Sequence, residues 1–316
     1  MTRLHHVLPL VLPLAAVAFA LVAGAQAKTI EVGPDKPYKT PSAGIAAAAD
    51  GDTVRIAAGE YFDCAIVSKN NITIEGTGPD ASAILTDKTC SGKGLLITSG
   101  TNITIRNLTL TRARVPDGNG AGIRGEGENL TVDGVKFINN QDGILANSTP
   151  QGTILIRNSE FIRNGICEAA CAHAIYIGTA KLLRVENSKF SDTRQGHHIK
   201  SRALRTEVVD TSIIDGPTGT ASYMIDIPAG GSLVATGNTM EKGPNAENQT
   251  TAIMIGEDGV SQPTREITIT NNTFKNAGNY KTFFVDNMTA TEATLRGNKL
   301  SGQVEALKGD GSVQPR

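Results

Sequence analysis

The segment Ile154-Leu-Ile-Arg-Asn158-Ser-Glu-Phe161 decides the fold, because it is one of nine copies of a single pattern. A typical copy has an apolar-x-apolar pair, then Asn, Gly or once Thr two residues later, then a large apolar residue three positions further on. The second apolar residue of the pair falls at 74, 105, 132, 156, 185, 209, 235, 269 and 295. Spacings of 24 to 34 residues are typical of one supersecondary unit stacked many times into a solenoid.

Each unit carries a second short strand pattern between two copies. The clearest examples are Ala174-Ile-Tyr-Ile177, His198-Ile-Lys200 and Met224-Ile-Asp-Ile227. Alternation of apolar and variable residues over such short runs predicts half-buried strands. The tight-turn residue is often asparagine, which tolerates the left-handed backbone of a sharp bend, as at Asn107, Asn158, Asn187 and Asn271. Stacked asparagines are also expected to hydrogen-bond along their column.

Composition fits short strands and tight turns. The 316 residues include 34 glycines and no tryptophan, and only 4% are aromatic. A formal net charge of −1 provides no basic field for a nucleic-acid backbone, which disfavours that class of partner. We therefore expect one elongated body over residues 28–303, with residues 304–316 as a flexible polar tail. The oligomeric state stays open.

The first 27 residues predict a secretory signal peptide. Arg3 precedes a long apolar run from Val7 to Ala23, and Ala25-Gln-Ala27 is a small-x-small cleavage pattern. An uncleaved membrane anchor is the alternative. Nothing after Lys28 is long or apolar enough to span a bilayer. We expect a secreted or periplasmic protein that is free of the membrane after cleavage.

Four cysteines in an exported chain predict two disulfides. Cys167 and Cys171 lie in one loop, whereas Cys64 and Cys90 lie about one coil apart. Local pairing within these two sets is one of three possible connectivities. A zinc site is disfavoured, because no Cys-x-x-Cys spacing is present.

The amino-terminal stretch carries a family resemblance. A short alanine-rich helix candidate over residues 41–49 runs into Gly51-Asp-Thr-Val-Arg-Ile-Ala-Ala-Gly-Glu-Tyr61. This arrangement resembles the pectin-lyase-like superfamily of right-handed parallel β-helices, over residues 29 to about 303. The resemblance implies an all-β solenoid of about ten coils with an N-terminal capping helix. It says little about activity, because that fold hosts many functions.

The register of the repeat brings distant residues together. Positions one coil apart are expected to lie about 4.8 Å apart on paired strands. Ile175, Ile199 and Ile225 each stand ten residues before a repeat position and should point inward. Their neighbours Tyr176, Lys200 and Asp226 are therefore predicted to form one outward column. Flanking this column are His198 one pleat back, Arg202 one pleat forward, Arg124 on a preceding coil, and His173 and His197 in the same patch.

These residues suggest uronate chemistry. Enzymes of the resembled superfamily bind polysaccharide on this sheet, which implies a lyase or epimerase acting on an acidic polysaccharide. Proton abstraction beside a uronate carboxylate requires a cation for the carboxylate, a base and an acid. The expected roles are Lys200 as base, Tyr176 or His198 as acid, and Arg202 or Arg124 on the carboxylate. Asp226 is expected to orient Lys200 and, with His173 and His197, to contact the substrate.

Other activities fit less well. A non-catalytic glycan-binding or cell-envelope structural protein is the main alternative, with Lys200 and Asp226 as a surface ion pair worth under about 1 kcal/mol. A polygalacturonase-type hydrolase needs clustered aspartates, and a pectin methylesterase needs paired ones. Calcium needs several converging acidic oxygens, and only Asp226 sits firmly in the column. We therefore expect no cofactor. Insertions near 242–249 and 256–263 are predicted to be loops, which either wall the groove or are surface excursions without a role.

Overall fold

The structure is a computed structural model that describes residues 1, 2, 4, 26–168 and 170–314. The predicted signal peptide lies almost entirely outside the described residues. Helix α1 covers Pro41–Ala47. The strands up to residue 138 are β1 Thr29–Val32, β2 Thr53–Ile56, β3 Gly59–Tyr61, β4 Ala65–Val67, β5 Thr73–Gly76, β6 Ala83–Thr86, β7 Gly94–Thr98, β8 Ile103–Arg106, β9 Leu108–Thr111, β10 Ala121–Gly125, β11 Leu130–Asp133 and β12 Lys136–Ile138.

The remaining strands follow the same cycle. The middle of the chain forms β13 Asp142–Ala146, β14 Thr149–Arg157, β15 Glu160–Ile162, β16 Ile166–Cys167, β17 Cys171–Ala172, β18 Ile175–Ile177, β19 Ala180–Glu186, β20 Lys189–Ser191, β21 Ile199–Ser201, β22 Arg205–Val209, β23 Ser212–Ile214 and β24 Ile225–Ile227. The last part forms β25 Ser232–Thr236, β26 Thr239–Lys242, β27 Thr251–Ile255, β28 Ile267–Thr270, β29 Thr273–Asn276, β30 Thr282–Asn287, β31 Ala293–Arg296, β32 Lys299–Ser301, β33 Val304–Gly309 and β34 Gly311–Gln314.

Three long parallel sheets run the length of the solenoid. The first sheet has twelve strands, in the order β1-β2-β5-β8-β11-β14-β19-β22-β25-β28-β31-β34. The second has ten, in the order β3-β6-β9-β12-β15-β20-β23-β26-β29-β32, and the third has ten, in the order β33-β30-β27-β24-β21-β18-β13-β10-β7-β4. Each complete coil gives one strand to each sheet. The predicted parallel β-helix of about ten coils is confirmed.

The repeat forms the first sheet in the predicted register, with one exception. Val185 pairs with Val208, so Val209 does not occupy the predicted repeat position. Val208 is fully buried, and Asp210 takes the left-handed turn conformation (φ 48°) that was expected at Thr211. Two adjacent valines had left the register undetermined by pattern alone. In the structure Val208 is buried and Val209 is partly exposed, which fixes the register that the pattern left open.

Coil length varies without disturbing this register. The residue numbers of paired positions differ by 23 between Val185 and Val208, and by 34 between Ala235 and Ile269. Both pairs are nevertheless direct neighbours in the first sheet. Most of the extra length lies in loops between the strands.

The interior is built from stacked columns. Phe137, Phe161 and Phe190 stack with ring centroids 4.5 Å apart at each step, which is the spacing of the paired strands beneath them. The turn asparagines adopt the predicted left-handed conformation, with φ between 48° and 57° at Asn107, Asn158, Asn187 and Asn271.

The amide ladder lies one residue beyond the predicted asparagines. Asn238 N–H donates to Asn272 Oδ1 at 2.9 Å, and Asn272 N–H donates to Asn298 Oδ1 at 3.0 Å. The turn residue itself uses its left-handed backbone to reverse the chain. The following side chain points inward and satisfies buried main-chain groups that the bend leaves unpaired.

Helix α1 caps the amino-terminal end, as predicted. Thr40 Oγ1 accepts a hydrogen bond from Ala43 N–H at 3.3 Å, and Pro41 occupies the first turn, where its missing N–H costs nothing. Ile45 is buried and joins the hydrophobic core. The helix ends at Ala47, two residues before the predicted end.

The prediction of a flexible tail over residues 304–316 is wrong for the residues that the structure describes. Strand β33 pairs in parallel with β30, and β34 pairs in parallel with β31. Every residue of β34 is exposed. Main-chain pairing to the preceding coil holds β34, whereas Val304, Ala306 and Leu307 of β33 are partly buried and pack against the core.

Both disulfides have the local pairing. Cys64 bonds to Cys90 with a Cα–Cα distance of 5.6 Å, and Cys167 bonds to Cys171 with a Cα–Cα distance of 4.0 Å. The second disulfide closes a small antiparallel hairpin formed by β16 and β17. Among the described residues, no helix is long and apolar enough to cross a membrane.

Candidate functional site

The predicted outward column exists on the third sheet. Tyr176 pairs with Lys200, and Lys200 pairs with Asp226, on three successive strands. Lys200 Nζ lies 3.4 Å from Asp226 Oδ2 and 5.6 Å from the centroid of the Tyr176 ring. The three isoleucines that precede these residues are fully buried, as expected.

A cavity of about 480 Å³ lies over this column and is called the histidine pocket below. Its lining residues are Cys171, His173, Tyr176, Gly196, His197, Lys200, Ser222 and Glu247. Four predicted site residues therefore meet here. Cys171 comes from the disulfide-closed hairpin, and Glu247 comes from the long insertion that was predicted to lie beside the groove. The volume suits a small ligand or a few units of a larger one.

Three rings on successive coils form the back of the pocket. His173 stacks on His197 with centroids 4.7 Å apart, and His197 stacks on Tyr223 at 5.0 Å. His197 N–H donates to His173 Nδ1 at 2.9 Å, and Tyr223 N–H donates to His197 Nδ1 at 3.1 Å. Because Nδ1 accepts in both rings, the proton of each neutral imidazole is on Nε2.

Both pocket histidines are held in the neutral form. Burial lowers the pKa of His173 to about 3, with a smaller contribution from the Lys200 charge. Burial, and then the neighbouring His173, lower the pKa of His197 well below its ordinary value. At neutral pH these rings therefore act as N–H donors and carry no charge.

Asp226 lies beneath the pocket, although the sequence predicted a position on its outer face. It is fully buried, and burial raises its pKa to about 7 against the opposing charge of Lys200. His197 Nε2 lies 3.4 Å from the same Oδ2 that faces Lys200. Neither carboxylate oxygen makes a hydrogen bond within the described residues. Asp226 is thus placed to orient Lys200, and its predicted contact with substrate is wrong because the carboxyl group is enclosed.

Arg202 lies beside the pocket, where it was predicted. Its Nε donates to Tyr176 Oη at 3.1 Å, and its Nη2 donates to Asp258 Oδ2 at 2.5 Å. Since Tyr176 Oη accepts from Arg202, its own proton is free for another acceptor. The hydrogen bonds to Tyr176 and Asp258 raise the pKa of Arg202, against the effect of burial.

An acidic turn that the sequence did not single out holds two of these side chains. Glu257 Oε2 accepts from Tyr223 Oη at 2.7 Å, next to the contact between Asp258 and Arg202. Gly256 and Gly259 flank the pair with φ of 88° and 90°, a conformation that glycine adopts without strain. The Gly-Glu-Asp-Gly order marks a turn, but no periodicity points to its partners.

His198 does not lie on the outer face, so its predicted role as acid is wrong. It is fully buried, with Nδ1 2.8 Å from Thr193 Oγ1 and Nε2 2.6 Å from Asp215 Oδ1. Burial would raise the pKa of Asp215, but its hydrogen bond to His198 and the charge of Lys242 hold it below the ordinary value. His198 enters the strand from a loop, where strand alternation does not yet apply.

Arg124 extends the column but does not reach the pocket. Leu145 lies between Arg124 and Tyr176 in the register, so the two are two coils apart. Arg124 Nη2 donates to Asn147 Oδ1 at 3.2 Å. Its predicted contact with substrate is therefore not supported by its position.

Within the described residues, no three His, Cys, Asp or Glu side chains gather as metal ligands.

Comparison with known proteins identifies the family. The chain matches the family described as "Right handed beta helix region" over residues 50–213 and 149–312, more than half of its length. The chain therefore belongs to the right-handed β-helix family, with the handedness that the sequence resemblance implied. No curated protein matches the sequence.

Several solved structures share the fold. An alginate lyase from Paenibacillus sp. str. FPU-7 is 19% identical, with a TM-score of 0.70 over 90% of this chain and 99% of that chain. Escherichia coli YbhC is 14% identical, with a TM-score of 0.52 over 84% and 88% of the two chains. A variant of the PL6 family alginate lyase AlyGC is 18% identical, with a TM-score of 0.50 over 96% of this chain and 41% of that chain. At these identities the likeness shows the fold alone.

Proposed function

We propose that the chain is an exported polysaccharide lyase that cleaves a uronate polymer by β-elimination. The observation that carries this proposal is the placement of Tyr176 and Lys200 on adjacent strands of one pocket, with Arg202 hydrogen-bonded to Tyr176. The likeness to two alginate lyases makes alginate the first polymer to test.

The first task of the site is to bind the uronate carboxylate. Arg202 carries a delocalised positive charge and binds carboxylates with paired hydrogen bonds. His173 adds a neutral Nε2–H donor, while the Nε2 of His197 faces Asp226. Neutralising the carboxylate makes the proton on the adjacent carbon easier to remove, because negative charge develops there.

The second task is the elimination itself. The Lys200 amine removes the proton from the carbon that bears the carboxylate. The electron pair left there forms a carbon–carbon double bond, and the glycosidic bond at the neighbouring carbon breaks. The Tyr176 hydroxyl donates its proton to the departing oxygen. Asp226, 3.4 Å from Lys200 Nζ, stabilises the ammonium ion that results.

Export is supported by the two disulfides. Cys64–Cys90 and Cys167–Cys171 need an oxidising compartment to form and persist. A secreted or periplasmic location also places the protein where polysaccharides of the cell surface and the surroundings occur.

Ultraviolet absorbance of the unsaturated product tests the proposed activity. The protein would be incubated with alginate, polygalacturonate and a neutral polymer of similar length, and absorbance is expected to rise with a uronate polymer alone. Incorporation of solvent deuterium at the sugar carbon without any absorbance would indicate an epimerase. Binding without either reaction would refute catalysis and favour a glycan-binding protein.

A further inference from the structure

A second cavity lies at the corner between the third and first sheets and is called the corner cleft below. Its volume is about 400 Å³, and it is lined by Lys181, Leu204, Arg205, Ser232, Pro263, Arg265 and Glu266. These residues come from the starts of successive first-sheet strands and from the loop before β28.

The charges of the corner cleft are only partly matched. Most arginines of the first sheet lie against carboxylates, as in Arg55–Glu75 and Arg184–Glu207. Lys181 and Arg265 are exposed, and neither takes part in an ion pair within the described residues. Two cations without acidic partners therefore face one cleft.

The rest of the cleft is suited to hold a sugar in place. Arg205 is fixed by Glu207 at 2.6 Å and by Glu266 at 2.7 Å, which makes one wall rigid. Leu204 is 38% exposed, an apolar surface that the C–H face of a sugar ring would cover. Arg265 N–H donates to Ser232 Oγ at 3.2 Å, which anchors the opposite wall.

The corner cleft and the histidine pocket occupy the same coils. Lys200 of the pocket and Arg205 of the cleft are five residues apart on one coil. Their Cα atoms are therefore about 16 Å apart if the chain between them is extended. Arg202 lies between them. One loop borders both sites, because Asp258 at its start contacts Arg202 and residues 263–266 at its end wall the cleft. A polymer that leaves the pocket over Arg202 therefore reaches the cleft.

We propose that the corner cleft is a second binding site for carboxylate-bearing sugar units of the polymer that enters the histidine pocket. The ligand class rests on the proposed function. Lys181 and Arg265 bind the carboxylates, and Leu204 packs against a sugar ring. A chain long enough to fill both sites gains affinity from the second one, because the first contact raises its local concentration.

The matched test compares two double variants by calorimetry with saturated oligouronates, a trisaccharide and a decasaccharide. Lys181→Ala with Arg265→Ala is expected to weaken binding of the decasaccharide about tenfold, as expected for loss of about 1.4 kcal/mol, and to leave the trisaccharide unchanged. Arg296→Ala with Lys299→Ala removes two exposed cations near the carboxyl-terminal end and is expected to change neither ligand. Thermal unfolding checks that each variant stays folded.

Unchanged decasaccharide affinity in the Lys181 and Arg265 variant would overturn the proposal. Equal weakening by the control variant would also overturn it, since general charge attraction would then account for binding. The reference protein and both double variants all carry Lys200→Met, which removes the proposed base, so the saturated oligomers are not cleaved during the measurement. Chain-length-dependent binding by a protein that cleaves no polymer would reject the lyase activity and leave the corner cleft supported.

Discussion

Lys200 and Tyr176 present the two proton-transfer groups of the histidine pocket. Lys200→Met removes the amine while keeping an unbranched apolar side chain, and Tyr176→Phe removes the phenolic proton. Each change is expected to lower kcat by about 10²- to 10⁴-fold, the usual contribution of one acid or base. Initial rates of double-bond formation measure the effect.

Lys308→Met provides the matched control for these two variants. Lys308 lies on the same sheet and pairs with Asp286 at 2.8 Å, away from the pocket. Wild-type rates are expected for this variant. Full activity in both Lys200→Met and Tyr176→Phe would show that the assigned site is wrong.

The buried carboxyl group of Asp142 is expected to make the stability of the protein depend on pH. Its Oδ1 accepts from His173 N–H at 2.8 Å, while Oδ2 has no hydrogen-bond partner in the part of the chain that the structure describes. Burial raises the pKa of Asp142 from the ordinary 3.8 to about 8. The folded state therefore keeps this proton after the unfolded chain has lost it. The contribution of Asp142 is favourable below pH 4 and is lost as the pH rises toward 8.

Asp142→Asn tests this dependence, because asparagine resembles the protonated acid and does not titrate. The variant is expected to gain stability relative to wild type as the pH rises from 5 to 8. Denaturant unfolding at both pH values measures the difference in free energy of unfolding. The same difference at the two pH values would mean that Asp142 does not carry a raised pKa.

The register of the sequence repeat predicted which residues are neighbours better than it predicted which of them are exposed. It placed Tyr176, Lys200 and Asp226 correctly in one column, because parallel pairing preserves position from coil to coil. It failed for the burial of Asp226 and His198. Whether a side chain at a strand end faces solvent depends on the loops packed around it, and those loops carry no period.

At the scale of elements, the Gly256–Gly259 turn bears on substrate affinity. Asp258 places a carboxylate on Arg202, the same group that the substrate would bring. Asp258→Asn is expected to lower KM for uronate oligomers about two- to fivefold, since an exposed ion pair contributes under about 1 kcal/mol. The rate at saturation should stay within about twofold. Steady-state kinetics over a range of substrate concentrations that reaches saturation measures both kcat and KM.

Asp286→Asn breaks an ion pair on the same sheet outside the pocket and serves as the control. No change in KM is expected for it. A higher KM in Asp258→Asn would contradict the competition between Asp258 and substrate, and would show that Asp258 positions Arg202 for binding.

The sequence could not predict that Cys171 and Glu247 line the pocket. Cys171 and Glu247 reach the pocket from a hairpin and an insertion whose paths depend on tertiary packing. The pattern of Gly, Pro and Asn marked such segments as loops but not their direction. Strands stack at a fixed spacing, so the register predicts the positions of their side chains. The paths of loops have no such period, so the positions of their side chains cannot be predicted in this way.

At the scale of the whole molecule, strands β33 and β34 cover the preceding coil. Ending the chain at Gly302 removes them and makes β30 and β31, whose side chains are more buried, the edge strands of their sheets. We expect Tm to fall by several degrees and the protein to associate as its concentration rises, because unpaired edges template further pairing. Thermal unfolding and light scattering measure the two effects. A chain that ends at Gln314 is the control, and an unchanged monomer after the longer truncation would support the flexible-tail prediction.

The architecture was predictable because it repeats. Nine copies of one pattern predicted the number of coils closely. The family resemblance carried by the helix candidate and the motif from Gly51 to Tyr61 implied the cap and the handedness. The last coil was missed because β34 buries none of its side chains. A strand held by main-chain hydrogen bonds alone leaves no hydrophobic pattern to detect.

The unequal coil lengths have a consequence for how such a protein changes over generations. Val185 and Val208 are neighbours across 23 residues, and Ala235 and Ile269 are neighbours across 34. Loop insertions cost little closure entropy as they lengthen, so a coil can acquire a new loop while the strands on either side keep their partners. Selection can therefore reshape the walls of the groove independently of the ladder that holds Tyr176 and Lys200. Substrate preference and scaffold stability become separately heritable traits.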